Sequence, residues 1–537
     1  MMLDVKKRSA FPVLAIMKAV PPPAEDEFAP LRPQQILGGR YFWALLLYSI
    51  LLLWVTGTIA ARRHLWWDEI DVYYIAAQPF DVIFRSLSSG LDWQSPTYYI
   101  PLHYLVKWFG ASSFVLRSIS VFPYWLATLV VYFAVARRTA PIYGFLAMLF
   151  LSMTLAFAYS FEARPYGLVL LFSACAFLSW QLTQEIRLRR FALPALTISL
   201  AAGFAVHYNA CLVALPLLAG EAILAVRRRA YDLPVLLSIC CGAFPILFLF
   251  PNILAHQHYG VIPSNASLIG RVGATYEALF YTPSLLSFGI LGALGVWLAL
   301  LRKDGRDQRV LVSDFESLPL AVGGTFLLIP IAFCAVSHFT QTYYPRYVLE
   351  TVIGAAIFLA FAVHGVRRIM PHLASVLVVI SLAAVLIIGW KRLRSPDEYA
   401  WGTFASYAEL FDRSTTPIYD SRDPLLLGQG AYLIALRYAD EDLRDRAFHL
   451  LSEPGSNATP FALSDRQTYK ALERLDPRIH VPDYDSFKRA HSRFLMYDPD
   501  QWVLDRLIGE GAEIKIQATM QHGPLYEVVL KSNVGRL

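Results

Sequence analysis

Apolar residues dominate this chain in long runs that are separated by short polar breaks. A helix needs about 20 mostly apolar residues to cross the hydrocarbon core of a bilayer, and runs of that length recur over the first 390 residues. The predicted spans lie near residues 41–61, 114–136, 142–160, 166–184, 191–206, 209–226, 233–251, 284–301, 318–336, 347–366 and 372–390. The pattern predicts a polytopic α-helical membrane protein with about eleven transmembrane helices.

Basic residues gather in alternate breaks between these runs, as they do in cytoplasmic loops. The clusters are Arg137–Arg138, 187–190, 227–229, 302–309 and Arg367–Arg368, with exceptions at Arg62–Arg63 and 391–394. This distribution predicts a cytoplasmic N-terminal tail over residues 1–40, which lacks the apolar core of a signal peptide. The long break at about 62–113 then becomes the first periplasmic loop.

That first loop contains two stretches with helical periodicity. "IDVYYIAAQPFDVIFRSL" at 70–87 repeats its apolar residues at helical spacing and predicts one amphipathic helix in the membrane interface. "SPTYYIPLHYLVKWFG" at 95–110 mixes aromatic residues with Pro and predicts a second interfacial segment. The chain between residues 41 and 394 is therefore interpreted as one membrane domain.

Beyond residue 395 the long apolar runs stop and charged residues become more frequent. Short strands are predicted within 416–424 and 492–499, and a helix closed by Gly within 500–512. Alternating apolar and polar residues over 513–531, with a Gly-Pro pair between them, predict a hairpin. Residues 395–537 are thus expected to form a small periplasmic α/β domain.

Composition supports a membrane protein and argues against nucleic acid as a partner. The chain is 56% hydrophobic and 16% charged, with a mean hydropathy of +0.44, and soluble domains carry more charge. The net charge of +6 lies in short clusters between apolar runs, so no nucleic-acid partner is predicted. The five cysteines lie in apolar stretches and show neither metal spacing nor a disulfide framework.

Three carboxylates, Asp68, Glu69 and Asp71, directly follow the first span in "LWWDEIDVYY". A carboxylate at a membrane edge loses hydration and needs compensation, so such groups are candidates for function. The functional interpretation is a general base or a metal ligand, and the alternative is a solvated loop start.

Further candidates lie in later breaks on the same predicted face. "FEARPYG" carries Glu162 and Arg164, for which an internal ion pair is the alternative. "YYPRYVLE" carries Arg346, whose guanidinium suits bidentate binding of a phosphate, although a snorkelling arginine would look the same. Candidates for substrate binding are His103, His207, His338 and Tyr344. The alternatives are packing in the interface for His103, a polar turn between two helices for His207, and a ligand, an acid/base or an interfacial bystander for His338.

Together these motifs resemble the GT-C glycosyltransferases. The resemblance covers roughly residues 41–390 and rests on the "DE" pair, "SPTYYIPLHYLVKWFGASSFVLRSISV", "EARPYGL" and "PRYVLE". It is closest to the protein O-mannosyltransferase-like family 39, with its aminoarabinose transferases and rhizobial galacturonosyltransferase-like members. It implies a GT-C fold and the transfer of a sugar from a polyprenyl-phosphate carrier to an acceptor hydroxyl outside the membrane, with inversion.

The resemblance also implies residue roles. Asp68 matches the family's catalytic aspartate and would take the acceptor proton, while Glu69 and Glu162 would orient the acceptor, the sugar or a metal. Cations must hold the departing phosphate. The candidates, in order of preference, are Arg346, Arg164, and then Arg85 or Lys107 in the first loop.

Two features of the sequence bear on the expected acceptor and on the expected metal dependence. The chain lacks the β-trefoil-sized insertion of the eukaryotic mannosyltransferases, which favours an envelope glycan or lipid acceptor in a bacterial inner membrane over a protein acceptor. No cofactor is predicted. Metal dependence varies within the GT-C class and no cluster here has divalent spacing, so a metal is left open without being predicted.

Other classes of protein share some of these features. A transporter or flippase is the main alternative, but its charges would lie near the midplane and its sequence would show repeats or broken helices. A second alternative is an intramembrane hydrolase or an O-antigen-type ligase, but the ligase would use a large loop near its last spans, whereas this chain has its long loop first. A scaffold would not need acidic and basic groups on one face.

Overall fold

The computed structural model describes residues 33–88, 92, 94–256, 267–281, 314–340, 343–367, 370–395, 407, 417–451, 469–520 and 523–531. Within these ranges the helices of the membrane part are α1 (Pro33–Leu37), α2 (Arg40–Arg62), α3 (Trp67–Ala76), α4 (Phe80–Ser88), α5 (Pro96–Phe109), α6 (Ser113–Ala136), α7 (Pro141–Leu151), α8 (Leu155–Tyr159), α9 (Tyr166–Leu182), α10 (Ile186–Val206), α11 (Ala214–Arg228), α12 (Leu233–Cys241), α13 (Ile246–His256), α14 (Leu268–Phe280), α15 (Asp314–Phe326), α16 (Ile329–Thr340), α17 (Thr351–Gly365) and α18 (Leu373–Arg394). Short 3-10 helices occupy Tyr208–Val213 and Pro345–Val348.

Seven helical stretches in the described ranges are long and apolar enough to cross a membrane. They are Arg40–Arg62, Ser113–Ala136, Ile186–Val206, Tyr208–Arg228, Leu233–Pro251, Leu318–Ser337 and Leu373–Arg394. Three shorter apolar helices, α7, α9 and α17, fall on further predicted spans. The predicted span near 284–301 lies outside the described residues.

Large apolar side chains cover the outer faces of α2 and α18. Trp43 is 66% exposed, Trp54 56%, Val379 66% and Trp390 56%. Contiguous apolar surface of this kind is unfavourable in water and is covered in a bilayer. With the seven long apolar helices, it identifies a multi-pass membrane protein.

The packing of α6 against α9 depends on a glycine. A β-carbon on Gly167 would lie 2.4 Å from the carbonyl oxygen of Ser120, so only glycine allows α9 to begin this close to α6. The Ser120 hydroxyl donates to the carbonyl oxygen of Arg164 just before α9. The close approach therefore holds the turn that carries Glu162 and Arg164 against α6.

The first loop departs from its prediction. The single interfacial helix expected over 70–87 is two helices, α3 and α4, with Pro79 between them. Ile70, Val72 and Ile75 of α3 are buried and belong to an apolar core shared with the C-terminal domain. The apolar face of α3 therefore packs against protein elements of the loop and the C-terminal domain. The C-terminal end of α5 is exposed instead, with Trp108 and Phe109 each 68% accessible.

The C-terminal domain is built on a sheet of five described strands in the order β2-β1-β3-β5-β4. The strands are β1 (Leu425–Leu427), β2 (Ala447–Phe448), β3 (Arg493–Tyr497), β4 (Glu513–Met520) and β5 (Gly523–Val529). The helices of the domain include α19 (Gln429–Tyr438), α20 (Glu441–Asp445), α21 (Tyr484–Ala490) and α22 (Gln501–Gly509). β1 pairs with β2 and β3 in parallel, and β5 pairs with β3 and β4 in antiparallel fashion.

Most local predictions for this domain are confirmed. β3, α22 and the β4–β5 pair lie where the pattern placed a strand, a helix and a hairpin, although residues 521–522 of the turn are outside the described ranges. The strand expected within 416–424 is wrong. Residues Pro417–Asp420 form a 3-10 helix, and β1 follows as the fully buried "LLL". A parallel strand that is covered on both faces is a continuous apolar run. It therefore lacks the alternation of apolar and polar residues by which a strand is predicted.

The domain packs directly on the first loop. Gly430 of α19 lies so close to Trp67 that a β-carbon there would come within 2.6 Å of the indole ring. The Leu65 N–H donates to the Tyr438 hydroxyl at 2.7 Å. The turn that leads into α3 is therefore held by the C-terminal domain, immediately beside Asp68.

Candidate active site

Asp68 lies in the first turn of α3 and faces two arginines from distant parts of the chain. It forms an ion pair with Arg164, and its Oδ2 lies 3.3 Å from Nη2 of Arg346. The Asp68 side chain is 25% exposed, compared with 6% for Arg164 and 15% for Arg346. The carboxylate is thus held by two nearly buried cations and remains the more accessible member of the cluster.

Local structure explains how the two arginines reach Asp68. Arg164 sits in the tight turn before α9, where its N–H donates to the Glu162 carbonyl oxygen at 2.8 Å and Pro165 precedes the helix. Arg346 lies in the 3-10 helix Pro345–Val348, with its guanidinium 4.5 Å from the Tyr344 ring centroid and 5.8 Å from that of Trp66. Such cation–π contacts fix the plane of a guanidinium while leaving its N–H groups available.

A second carboxylate, Asp92, binds the far side of Arg164. Its two oxygens lie 3.2 and 3.1 Å from Nη1 of Arg164, and the Tyr99 hydroxyl donates to it. Sequence reasoning missed Asp92, because a lone Asp within the first loop has no motif around it. Arg164 is consequently shared between two carboxylates, which fixes its position.

Glu69 has a different environment, although it follows Asp68 directly. Its oxygens accept from Nη2 and Nε of Arg117 at 2.6 and 2.8 Å. They also accept from the backbone N–H of Ala163 at 2.6 Å and of Trp66 at 3.3 Å. Both side chains are fully buried. Arg117, which the sequence analysis did not single out, further donates to carbonyl oxygens at the end of α2.

Glu162 pairs with Arg63, with 3.3 Å between Oε1 and each of two guanidinium nitrogens. The pair is buried, yet Oε2 of Glu162 has no hydrogen-bond partner among the residues that the structure describes. The same holds for Nε of Arg346 and for the hydroxyls of Tyr98 and Tyr166. Buried polar atoms are nearly always paired, so this group of unpaired donors and acceptors is available to hydrogen-bond a ligand.

The charges of the cluster set the protonation of its acids and of one histidine. Burial would raise the pKa of Asp68, but Arg164 and Arg346 outweigh it and hold that pKa below its usual range. Burial raises the pKa of Glu162, with Arg63 opposing and the nearby Glu69 charge adding to it. Burial, Arg346 and Arg164 lower the pKa of His207 to about 3, so this imidazole is neutral at physiological pH.

The other predicted site residues divide into two sets. His207 and Tyr344 adjoin the cluster: the ring of His207 lies 5.2 Å from that of Tyr347, which in turn contacts Tyr344. His338 falls in α16, and its side chain lies outside the described part of the structure.

Three first-loop candidates point elsewhere. His103 Nδ1 is 3.0 Å from the Ala76 carbonyl oxygen and joins α5 to the end of α3. Arg85 is 75% exposed and pairs with Asp81 one turn earlier. Lys107 is exposed at the end of α5. In the described ranges, no group of three or more His, Cys, Asp or Glu side chains is arranged to hold a metal ion.

Neither a family model nor a curated protein matches this chain. Solved structures do. The crystal structure of ArnT from Cupriavidus metallidurans bound to undecaprenyl phosphate is 14% identical, with a TM-score of 0.53, and the alignment covers 93% of this chain and 100% of that one. The apo state of ArnT is 12% identical, with a TM-score of 0.55 and coverage of 90% and 98%. The oligosaccharyltransferase of Archaeoglobus fulgidus is 12% identical over 83% and 67%, with a TM-score of 0.41.

The two ArnT structures extend over the membrane part and the C-terminal domain together, because they align with nine tenths of this chain. They confirm the expected fold class: a polytopic arrangement of membrane helices similar to that of ArnT, with a small α/β domain after it.

Proposed function

We propose that this protein is a glycosyltransferase that moves a sugar from a polyprenyl-phosphate carrier to the hydroxyl of an envelope lipid or glycan. The observation that carries the proposal is the Asp68 cluster, in which two nearly buried guanidiniums flank the more accessible carboxylate. A base beside fixed cations is what a single displacement at a sugar phosphate requires.

The proposed step is one inverting displacement. Asp68 accepts the proton of the acceptor hydroxyl as the acceptor oxygen forms a bond to the anomeric carbon. The bond from that carbon to the phosphate oxygen breaks, and the phosphate leaves with the electron pair. The new negative charge develops beside Arg346, whose Nε has no partner and whose contact with Asp68 is 3.3 Å.

Arg164 is assigned a different task from Arg346. It is bound on one side by Asp68 and on the other by Asp92, so less of its charge is available to a ligand. It keeps Asp68 ionised and oriented. Arg346 is supported by aromatic rings and is the cation we assign to the donor phosphate.

The remaining assignments follow the same geometry. Glu162, with one unpartnered buried oxygen, is assigned to the sugar or acceptor. His207 is neutral and donates or accepts a hydrogen bond without changing charge. Glu69 has its oxygens bound by protein and is assigned to holding α3 in position.

The likeness to ArnT supports a lipid-phosphate donor, because one of those crystals contains undecaprenyl phosphate. A prenyl chain needs an apolar surface, and a cleft of about 490 Å³ lies between α2, α7 and α18. Its wall is almost wholly apolar and includes Leu47, Trp54, Leu386 and Trp390. We place the reaction on the periplasmic face of a bacterial inner membrane, with the N-terminus cytoplasmic.

Ligand-induced stabilisation tests the proposal. Purified protein is titrated with undecaprenyl phosphate in detergent while thermal unfolding is followed, because a ligand that binds only the folded state adds about 2.7 kcal/mol at one hundred times its Kd. Wild type and Asp68→Asn should be stabilised, whereas Arg346→Ala should lose the response. Arg85→Ala serves as the control, since Arg85 is exposed and paired with Asp81.

A well-folded wild type that no polyprenyl phosphate stabilises would refute the donor. Transport of lipid-linked or small substrates in proteoliposomes would then test the flippase alternative. An equal loss of response in Arg85→Ala and Arg346→Ala would refute the assigned role of Arg346.

A further inference from the structure

Tyr166 is the first residue of α9 and adjoins the candidate active site. It is 1% exposed, and its ring lies 4.8 Å from that of Tyr159 and 5.5 Å from that of His207, measured between centroids. Its backbone is held in place as well, because the close approach of Gly167 to Ser120 fixes the start of α9. The side chain therefore has a defined place among the aromatic residues of the site.

The hydroxyl of Tyr166 lies close to Arg346. Of the charged side chains around this hydroxyl, Arg346 has the strongest electrostatic influence on it. The packing agrees, because His207 contacts the rings of both Tyr166 and Tyr347. The Arg346 guanidinium in turn lies 5.9 Å from the centroid of the Tyr347 ring. Tyr166 and Arg346 are thus neighbours in one aromatic cluster, although they are far apart in the chain.

Two hydrogen-bond donors in this cluster lack an acceptor. Nε of Arg346 is buried, and neither it nor the buried hydroxyl of Tyr166 has a hydrogen-bond partner in the described part of the chain. A guanidinium N–H only donates, and a phenol hydroxyl donates as well as accepts. Leaving a buried donor unsatisfied costs free energy. A ligand oxygen that accepts from both groups would remove both costs.

The kind of unpartnered atom indicates the kind of ligand group. A phosphate oxygen accepts without bringing a proton of its own, so it suits a place where two donors meet. A sugar hydroxyl also has a proton to donate, so it suits an unpartnered acceptor such as Oε2 of Glu162. The donors Tyr166 and Arg346 therefore fit the phosphate of a sugar-phosphate ligand, and Glu162 fits a hydroxyl.

We propose that the Tyr166 hydroxyl donates a hydrogen bond to the donor phosphate, alongside Arg346. This assignment rests on the proposed function and adds a second residue that binds the leaving group. Tyr166 transfers no proton and keeps its O–H bond throughout. As the bond between the anomeric carbon and the phosphate oxygen breaks, negative charge grows on the phosphate and the hydrogen bond strengthens. Tyr166 thereby favours departure of the carrier.

A purely structural role for Tyr166 is the competing explanation, since its ring packs against Tyr159 and His207. Tyr166→Phe separates the two roles, because it removes the hydroxyl and keeps the ring. Tyr432→Phe gives a matched control in the C-terminal domain. Tyr432 is also fully buried, but its hydroxyl donates to the His480 carbonyl oxygen at 3.1 Å and accepts from the His480 N–H at 2.6 Å.

The test compares undecaprenyl phosphate with undecaprenol, which has the same chain and no phosphate. Dissociation constants are measured on the full-length protein in detergent from the dependence of thermal unfolding on lipid concentration. Wild type should bind the phosphate more tightly than the alcohol. Tyr166→Phe should weaken binding of the phosphate by about tenfold and leave binding of the alcohol unchanged. Tyr432→Phe should bind both lipids as wild type does.

The ligand-free proteins provide a second measurement. Tyr166→Phe should unfold at a temperature no lower than wild type, because its hydroxyl has no partner among the described residues. Tyr432→Phe should unfold at a lower temperature, because it loses its bonds to His480. A drop in Tyr166→Phe as large as that in Tyr432→Phe would show that the protein itself uses the Tyr166 hydroxyl, and would overturn the assignment.

The lipid titrations separate this assignment from the proposed function. If wild type prefers the phosphate and Tyr166→Phe binds it equally well, the role of Tyr166 is refuted and the donor stands. If Tyr166→Phe weakens both lipids equally, Tyr166 acts through packing and the assignment is again refuted. If wild type binds the phosphate no more tightly than the alcohol, the donor itself is refuted, and the role of Tyr166 with it.

Discussion

Asp68 and Glu69 are neighbours in the chain, yet they lie in opposite kinds of environment. The oxygens of Glu69 are bound by Arg117, Ala163 and Trp66, and its side chain is fully buried. Asp68 is 25% exposed and faces two arginines, one of which retains an unpartnered donor. Successive helical residues point about 100° apart, which places one carboxylate in the core and the other at the site.

The comparison shows that the bonding of a carboxylate, and not its place in a motif, decides what it can do. A carboxylate whose lone pairs are all used by the protein holds structure. One that keeps an open side beside fixed cations is available for proton transfer. The resemblance assigns Glu69 to orienting the acceptor, the sugar or a metal, whereas in the structure its oxygens are bound by protein groups.

The largest expected effect separates the two residues by activity. Asp68→Asn keeps the size of the side chain but removes the base, so transfer should fall by about 10²–10⁴-fold in a protein that still folds. The measurement is the rate of sugar transfer from a polyprenyl-phosphate sugar to an acceptor hydroxyl. Asp81→Asn is the control, because Asp81 is 69% exposed on α4. Equal activity in Asp68→Asn and wild type would remove Asp68 from the mechanism.

Glu69→Gln should act through stability instead. It leaves the fully buried Arg117 without its counter-charge, and breaking a buried pair typically costs about 3–5 kcal/mol. Thermal unfolding in detergent measures this, with Glu513→Gln as an exposed control. A stable Glu69→Gln protein with abolished transfer would contradict the division drawn here and return Glu69 to the catalytic group.

Glu162→Gln extends the comparison, because the environment of Glu162 is intermediate between those of Asp68 and Glu69. It is buried like Glu69, but its pair with Arg63 is longer and Oε2 is unpartnered. Burial already raises the pKa of this carboxyl, so neutralising it should cost only about 1–3 kcal/mol, less than at Glu69. Unfolding curves of Glu69→Gln and Glu162→Gln, measured in parallel, show which variant loses more stability. A larger loss of stability in Glu162→Gln would contradict the expected order.

Acid pH should affect Asp68 through its cations. The pKa of Asp68 is held below its usual range, since Arg164 and Arg346 outweigh the effect of burial. The stabilisation is present above the unfolded-state pKa of about 3.9 and is lost as pH falls through the lower folded value. In Arg164→Gln the acid limb of kcat/KM should move to higher pH. An acid limb that is unchanged in Arg164→Gln would show that it reports the protonation of a group other than Asp68.

The smallest effect is expected at Arg85. It is 75% exposed and pairs with Asp81 one turn away, an arrangement worth at most about 1 kcal/mol. Arg85→Gln should leave stability and transfer nearly unchanged. A large rise in the KM for the donor would restore the sequence-based assignment of Arg85 to the donor phosphate.

Prediction from sequence succeeded where a single local signal was enough. Ten of the predicted spans fall on apolar helices, and the motifs around Asp68, Arg164 and Arg346 marked three segments that the structure brings together. It missed Asp92 and Arg117. A lone arginine inside the apolar run of α6 was a usable signal, because a charge there needs a partner. No comparable signal marked Asp92, since its role depends on Arg164 from another part of the chain.

The sequence by itself determined the membrane helices and the α/β character of the last 140 or so residues, because hydrophobic periodicity is a local consequence of burial and lipid contact. Only the tertiary structure decided which carboxylate is enclosed by Arg117 and which faces Arg346, and that α3 is covered by the C-terminal domain. Those outcomes depend on contacts between residues far apart in the chain, such as Gly430 with Trp67 and Glu69 with Arg117. No local pattern encodes which partner a buried charge will find.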